Sequence, residues 1–187
     1  DINYSEDRFT VEPDGIRFGL VAIKNIGRGF IQAVMREREN GAFTSIHDFC
    51  SRMNGSEMNK RAVENLIRSG AFDSLGARRS QLIKVYETVM DSIATQQKQN
   101  LEGQLDFFSM AAESGSNTMR VKEDPLPDIP EFSAQELMMM EKETTGLYLS
   151  GHPMDDYRSY LVGSHVIPIG KLMDEESTYQ DDQIISV

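Results

Sequence analysis

The stretch Ile26-Gly27-Arg28-Gly29 holds the residue types that bind a phosphate group. Glycine has no β-carbon, so its backbone comes close to a ligand and adopts positive φ without strain. The second glycine is predicted to open a helix, whose first amide N–H groups have no intrahelical acceptor. Amide groups at a helix N-terminus bind anions. The first candidate phosphate site therefore consists of Lys24, Gly27, Arg28 and Gly29.

Two predicted helices position this turn, over about 16–24 and about 30–39. Each has an apolar face at helical spacing: Ile16, Leu20 and Ile23 in the first, and Ile31, Val34 and Met35 in the second. A helix, an apolar-Gly-x-Gly turn and a second helix form the pattern of a helix-hairpin-helix motif, which holds the DNA backbone without reading bases. The open alternative is an ordinary corner between two helices that ends in a glycine.

A weaker copy of this pattern spans 66–82, with a single glycine in its turn. Basic residues flank it: Lys60, Arg61, Arg68, Arg78, Arg79 and Lys84. Two such units predict a pseudo-symmetric pair that presents both turns to one duplex. The second candidate phosphate site consists of Ser69, Gly70, Arg78 and Arg79.

Capping residues predict where the other helices begin. Ser45 and Asn59 are N-cap residues, and Ser133 with Glu136 has the spacing of a capping box. The last of these helices is predicted to end at Gly146 or by Ser150. Buried faces are predicted for the three helices between 45 and 95: Ile46, Phe49, Cys50 and Met53, then Val63, Leu66 and Ile67, then Leu82, Val85, Tyr86, Val89 and Ile93.

Charge is distributed unevenly along the chain. The net charge of −11 divides into −4 over residues 1–15, +5 over 16–100 and −12 over 101–187. The positive charge is confined to the block that contains both glycine turns, which favours a polyanionic partner there. The alternative is a helical domain with Lys and Arg on solvated faces.

Composition argues against several classes of protein. The single cysteine, Cys50, cannot form an internal disulfide, and three scattered histidines predict no zinc site. No apolar run approaches the ~20 residues of a membrane span. These features predict a cytoplasmic protein without a membrane contact. The first residue is Asp1 rather than Met, so a processed chain or a piece of a longer one is expected.

The helical periodicity breaks near residue 96, and 96–131 is predicted to be a flexible linker. Inside it, Gln104-Leu105-Asp106-Phe107-Phe108 places a leucine and two aromatic rings among polar residues. Apolar clusters in flexible segments commonly contact a partner. The open alternative is that Phe107 and Phe108 dock the linker onto the helical domain.

Several segments, in order, resemble the alpha subunits of bacterial DNA polymerase III, the C-family replicative polymerases. These segments are Ile16-Arg-Phe-Gly-Leu20, Ser45-Ile-His-Asp-Phe-Cys50, Gly70-Ala-Phe-Asp73, Glu141-Lys-Glu-Thr144 and Gly146-Leu-Tyr-Leu-Ser-Gly-His-Pro153. The resemblance implies a mainly α fold. It comprises a tail of the fingers domain over 1–15, a tandem helix-hairpin-helix domain over 16–95, the linker, a connecting helical segment over 132–160 and the first strands of a truncated OB-fold over 161–187.

The resemblance also implies partners and chemistry. The partners would be double-stranded DNA, the sliding clamp (beta subunit) and other polymerase III holoenzyme subunits. The clamp would be bound by Gln104, Leu105, Asp106, Phe107 and Phe108, although Phe107 stands where the family has an aliphatic residue. Nucleotidyl transfer and its Mg²⁺ would belong to carboxylates upstream in the parent polymerase. This segment alone is therefore predicted to be inactive, with no catalytic residue, cofactor or metal of its own.

Two rival functions remain open. One is the helix-hairpin-helix module of a repair nuclease or ligase, which would be expected to carry a nuclease or adenylation motif, and none is visible. The other is a helical protein-interaction scaffold with no DNA role. The pairs Asp155-Asp156 and Asp181-Asp182 are interpreted as solvated charge, because adjacent residues on a helix or strand do not face each other.

Overall fold

Helices dominate the part of the chain that the computed structural model describes, which is residues 1–55, 58–107, 125–161, 166–167, 169–173 and 183–185. The chain divides into two units, Asp1–Leu149 and Ser150–Val187. The first unit contains strands β1 (Thr10–Glu12) and β2 (Gly15–Arg17) and helices α1 (Arg28–Arg38), α2 (Ile46–Met53), α3 (Lys60–Arg68), α4 (Arg79–Phe107) and α5 (Ala134–Thr145). The mainly α fold predicted from the sequence is confirmed.

One apolar core lies among α1, α2, α3 and α4. The predicted buried faces of α2 and α3 are confirmed, since each of their residues is less than 5% exposed. Edge-to-face contacts join Phe49 to Phe30, Phe43 and Phe72, so that Phe49 stands at the centre of an aromatic cluster. Ile2 belongs to the same core, so residues 1–15 pack within this unit.

The predicted caps are confirmed. The Ser45 hydroxyl accepts a hydrogen bond from the Asp48 N–H at 3.0 Å, and the Asn59 side chain accepts one from the Ala62 N–H at 2.9 Å. Ser133 and Glu136 form the complete capping box of α5, and Gly146 ends that helix in the left-handed conformation. These short polar side chains satisfy amide groups that the first helical turn leaves without acceptors.

The first predicted helix, over 16–24, is wrong. Residues Gly15–Arg17 form a strand that pairs antiparallel with Thr10–Glu12, and only Leu20–Ala22 forms a single 3-10 turn. Gly19 allows this path, because a β-carbon there would collide with the backbone of Arg8. The apolar spacing that imitates a helix therefore comes from a strand followed by a tight turn.

The long helix continues beyond its predicted end. The sequence predicts a linker from residue 96, whereas α4 extends through Phe107. Glutamine and lysine are good helix formers, and no proline interrupts 96–107, so helix propensity continues after the apolar face ends. The connector 125–131 has no regular secondary structure, as its prolines predict.

The regular structure of the second unit, in its described residues, consists of short helical elements. It contains a 3-10 turn at Asp155–Tyr157 and two short helices, α6 (Arg158–Leu161) and α7 (Ile169–Leu172). Most of 161–187 lies outside the described residues, so the predicted start of an OB-fold stays a prediction.

Candidate nucleic-acid interface

The first glycine turn ends at an exposed helix N-terminus. Gly27 is the N-cap of α1 and has no side chain with which to cap the helix. The first amide that donates back to the Gly27 carbonyl is that of Ile31, at 3.1 Å. The amides of the first turn before Ile31 therefore have no intrahelical acceptor. Arg28 and Gly29 are exposed there, so amide donors and a guanidinium face solvent together.

The glycines of this turn do not use the positive φ that glycine can adopt without strain. Gly27 has φ −74° and ψ 149°, and Gly29 lies in the first turn of α1. The left-handed residue is Asn25, with φ 62°. Asparagine tolerates this conformation better than other residues with a β-carbon. The glycines at 27 and 29 therefore leave the helix N-terminus free of side-chain bulk.

The loop before α1 is anchored by two other helices. The Lys24 carbonyl accepts a hydrogen bond from Asn65 Nδ2 at 2.6 Å, and the Lys24 N–H donates to the Thr144 carbonyl at 2.9 Å. Lys24 Nζ donates to the Glu143 carbonyl at 2.7 Å. The turn is thus held in place by α3 and α5, and the ammonium of Lys24 is directed toward the end of α5.

A cavity of about 480 Å³ lies beside the exposed start of α1. Arg28 and Arg8 both line it, and Asp7 contributes a carboxylate. The Arg8 side chain is 86% exposed. Sequence reasoning missed Arg8 because it stands in an acidic stretch, far along the chain from the glycine turn. The chain folds back at Leu20, whose N–H donates to the Glu6 carbonyl, and this contact brings Arg8 close to the turn.

The second glycine turn is closed. Gly70 is left-handed, with φ 79°, and a β-carbon there would collide with the guanidinium of Arg79. The Ser69 hydroxyl donates to the Leu66 carbonyl at 3.0 Å and is buried. Neither residue presents a donor to solvent in the way that Gly29 does.

Arg79 is part of a buried ion cluster. Its side chain is 7% exposed, and its Nη1 and Nη2 each donate to Glu141 Oε1 at 3.0 Å. Nη2 also donates to Asp73 Oδ2 at 2.6 Å. Burial lowers the pKa of Arg79, but its bonds to Asp73 and Glu141 outweigh that cost and raise the pKa above its ordinary value. Arg79 therefore joins α4 to α5 and does not face a phosphate.

Carboxylates of the connector occupy the N-terminus of α4. The amides of Arg79 and Ser80 donate to Glu131 Oε2 and Oε1 at 2.7 and 2.9 Å. Arg78 Nη1 donates to Asp128 Oδ1 at 3.0 Å. Burial opposes ionisation of Glu131, but the N–H groups of Ser80, Phe132 and Arg79 hold its pKa below the ordinary value. The two turns are therefore not equivalent, since only the first is open.

Four of the five predicted clamp-binding residues belong to the end of α4. The backbone of Gln104, Leu105, Asp106 and Phe107 belongs to that helix. Phe108 lies outside the described residues, so the predicted clamp contact stays a prediction. No group of three or more metal-binding side chains occurs among the described residues. Within those same residues, no helix is long and apolar enough to cross a membrane.

Comparison with known proteins gives two kinds of similarity. The family described as helix-hairpin-helix motif matches residues 1–82. The DNA polymerase III subunit alpha of Chlamydia pneumoniae is 37% identical over 172 residues, which is 91% of this chain and 14% of the relative. That of Deinococcus radiodurans is 40% identical over 159 residues, which is 84% of this chain and 12% of the relative.

A third relative covers almost the whole chain. The DNA polymerase III subunit alpha of Saccharopolyspora erythraea is 32% identical over 186 residues, which is 98% of this chain and 16% of the relative. The chain thus spans 12–16% of the length of these curated relatives. The similarity confirms the resemblance that the sequence segments predict.

Proposed function

Because this chain is homologous to one segment of the bacterial DNA polymerase III alpha subunits, we propose that it binds the backbone of double-stranded DNA for such a polymerase. The observation that carries the proposal is the uncapped, exposed N-terminus of α1 with Arg28 at its first position. Phosphate contacts of this kind position a protein on DNA without reading its sequence. The first turn would make these contacts, while the second turn would hold the domain together.

The experiment is a fluorescence-anisotropy titration of the chain with labelled duplexes of native and scrambled sequence at two salt concentrations. Dissociation constants of roughly 10⁻⁴–10⁻⁶ M at physiological salt are expected for both duplexes. Arg28→Ala should reduce the salt slope by about 0.9, because one phosphate contact is lost. Gly29→Val should weaken binding about fivefold, which corresponds to about 1 kcal/mol, because the branched side chain blocks the approach of a phosphate.

The matched control is Lys171→Ala, which removes an exposed positive charge from α7 in the second unit. It should leave the affinity close to that of the wild type. Binding that is indifferent to salt would favour the helical scaffold instead. Unchanged affinity in a correctly folded Gly29→Val chain would refute the assignment of the first turn.

Catalysis would belong to the parent polymerase. In this proposal, nucleotidyl transfer and its Mg²⁺ use carboxylates outside this chain, which acts on the product duplex and is inactive alone. We expect the other polymerase III holoenzyme subunits to be partners of this chain, and we expect it to act in the cytoplasm. A repair nuclease or ligase module is the less favoured alternative, since the relatives reported above are polymerase subunits.

The same proposal includes a tether to the sliding clamp through Gln104-Leu105-Asp106-Phe107-Phe108. Burial of one large apolar side chain contributes about 1.5–3 kcal/mol, and ordering of the segment offsets part of it. Phe108→Ala is therefore expected to weaken clamp binding about tenfold, or about 1.4 kcal/mol. Phe107→Leu, which restores the aliphatic residue of the family, is the control and should change the affinity little.

The measurement is calorimetric binding of each chain to the purified clamp of the same organism. An affinity near micromolar, about −8 kcal/mol, is expected for a single motif. Attachment to a clamp that already encircles DNA would raise the effective concentration further. If Gln104→Ala with Phe108→Ala bound the clamp as well as the wild type, the segment would be a packing element.

A further inference from the structure

A second basic cavity lies beside the first glycine turn, on the face of α3. Its volume is about 310 Å³. Arg61, Glu64, Asn65 and Arg68 line it, and their spacing of three, four and seven residues places them along one face of the helix. The rest of the wall comes from the loop before α1 and the end of α5, through Lys24, Asn25, Glu143 and Thr144. The loop that leads into the first glycine turn therefore forms part of this cavity.

Cations outnumber carboxylates around this cavity. Lys24, Arg61 and Arg68 face two carboxylates, Glu64 and Glu143. Arg61 is exposed and forms no ion pair among the residues that the structure describes. The Nε atom of Arg68 is buried and has no hydrogen-bond partner there. The site thus has donors that the protein itself leaves unused.

Glu143 is the residue that two of these cations contact. Its carboxylate is bound by Arg68 Nη2, and its backbone carbonyl is bound by Lys24 Nζ at 2.7 Å. Arg68 Nη1 lies 3.4 Å from Glu64 Oε1. Two cations that come from different elements therefore converge on a single residue at the end of α5.

We propose that Lys24, Arg61 and Arg68 form an additional phosphate subsite, which the Glu143 carboxylate occupies until a phosphate displaces it. The ligand class is a phosphate group of the DNA backbone, next to the phosphate held by the start of α1. This inference rests on the proposed DNA binding. In this inference, α3 contacts the duplex directly, and α5 supplies the Glu143 carboxylate as an internal anion that competes with the phosphate.

Exposure separates Glu143 from its neighbour Glu141. The Glu143 side chain is 57% exposed, and that of Arg68 is 28% exposed, so water and salt screen their ion pair. Exposed ion pairs of this kind contribute little to stability, and an incoming phosphate can replace them. Glu141 is buried against Arg79 and cannot exchange its partner in this way. Within one turn of α5, the Glu141 carboxylate is therefore structural, whereas the Glu143 carboxylate can be displaced.

The test compares Glu143→Gln with Asp14→Asn in the full chain. Both variants remove one negative charge, and Asp14 lies in the exposed turn between β1 and β2 with no ion pair among the described residues. Glu143→Gln is expected to bind duplex DNA about three- to fivefold more tightly, with a salt slope steeper by about 0.9. Asp14→Asn should match the wild type. Adding Arg68→Ala to Glu143→Gln should abolish the gain.

A second arm uses inorganic phosphate as the probe and follows the backbone amide resonances of Lys24 and Asn25 and the Nε resonance of Arg68 by nuclear magnetic resonance. Larger phosphate-induced chemical-shift changes in Glu143→Gln than in the wild type would support the subsite. If that result came without any binding of duplex DNA, the subsite would stand and only the proposed DNA binding would fail. Equal DNA affinity in Glu143→Gln and Asp14→Asn would overturn the subsite. If Gly29→Val still weakened DNA binding, the assignment of the first turn to phosphate binding would stand. Phosphate shifts that do not depend on residue 143 overturn it as well.

Discussion

Replacing Glu141 by glutamine is expected to lower the free energy of unfolding by about 3 kcal/mol, the lower end of the range for breaking a buried ion pair. Glu141 is fully buried, and both terminal nitrogens of Arg79 donate to it. Its second oxygen accepts a hydrogen bond from the Leu149 N–H at 2.8 Å. Loss of the charge leaves the Arg79 guanidinium with Asp73 as its remaining carboxylate partner.

The measurement is thermal and denaturant unfolding of the wild type and the variant. For a unit of this size, about 3 kcal/mol corresponds to a lower Tm by about 6–12 °C. The matched control is Glu143→Gln, two residues along the same helix, where the ion pair is exposed and the loss should stay within about 1 kcal/mol. Both variants carry the same chemical change, so burial is the variable that differs between them.

A double-mutant cycle separates the ion pair from the rest of α5. In the background of Arg79→Met, the change Glu141→Gln should cost much less, because no buried guanidinium loses a carboxylate partner. An equal loss in both backgrounds would show that Glu141 acts through Leu149 and the end of α5 instead. A wild-type-like Tm for Glu141→Gln would contradict the buried-pair interpretation.

Most helices of this chain could be predicted because their signals are local. The caps at Ser45, Asn59 and Ser133 act on amides three residues ahead, so residue type and spacing suffice to find them. The apolar faces of α2 and α3 follow from helical periodicity in the same way. For these elements, the relevant contacts lie within one or two turns of the chain.

The sequence predictions that are wrong concern elements whose structure depends on contacts between residues distant in the chain. The strand at Gly15–Arg17 depends on pairing with Thr10–Glu12, which the spacing of Ile16, Leu20 and Ile23 does not reveal. The cap of α4 is Glu131, more than fifty residues after the amides that it binds. Pattern reasoning finds a capping residue only when it directly precedes the helix.

Charge explains why one turn is open and the other closed. The excess of positive charge over 16–100 and of negative charge over 101–187 predicts a polyanion near the basic block. The structure shows that part of that negative charge is internal. Asp128 and Glu141 accept hydrogen bonds from the guanidinium groups of the second turn, and Glu131 accepts them from backbone N–H groups at the start of α4. Arg28 is left without such a partner among the described residues. Sign asymmetry along a sequence thus predicts attraction, but does not tell whether the attracted anion lies within the same chain.

Gly70→Ala is the second change with a large expected effect, a loss of about 2–4 kcal/mol in the free energy of unfolding. Gly70 has φ 79°, where a residue with a β-carbon is strained. The new methyl group would also collide with the Arg79 guanidinium and lie 2.8 Å from Asp73 Oδ2. The guanidinium cannot move aside without losing its bonds to Asp73 and Glu141.

Gly76→Ala provides the matched control for this prediction. Gly76 has the same φ of 79°, but a β-carbon there meets no atom within 4 Å. In both variants, alanine in the left-handed conformation strains the folded state by about 1–2 kcal/mol. Both variants also lower the conformational entropy of the unfolded chain by a similar amount. The difference between their unfolding free energies therefore measures the close contacts with Arg79 and Asp73. If the two variants lost the same stability, the close packing of Gly70 on the ion cluster would contribute nothing, and the second turn would be held by its backbone conformation only.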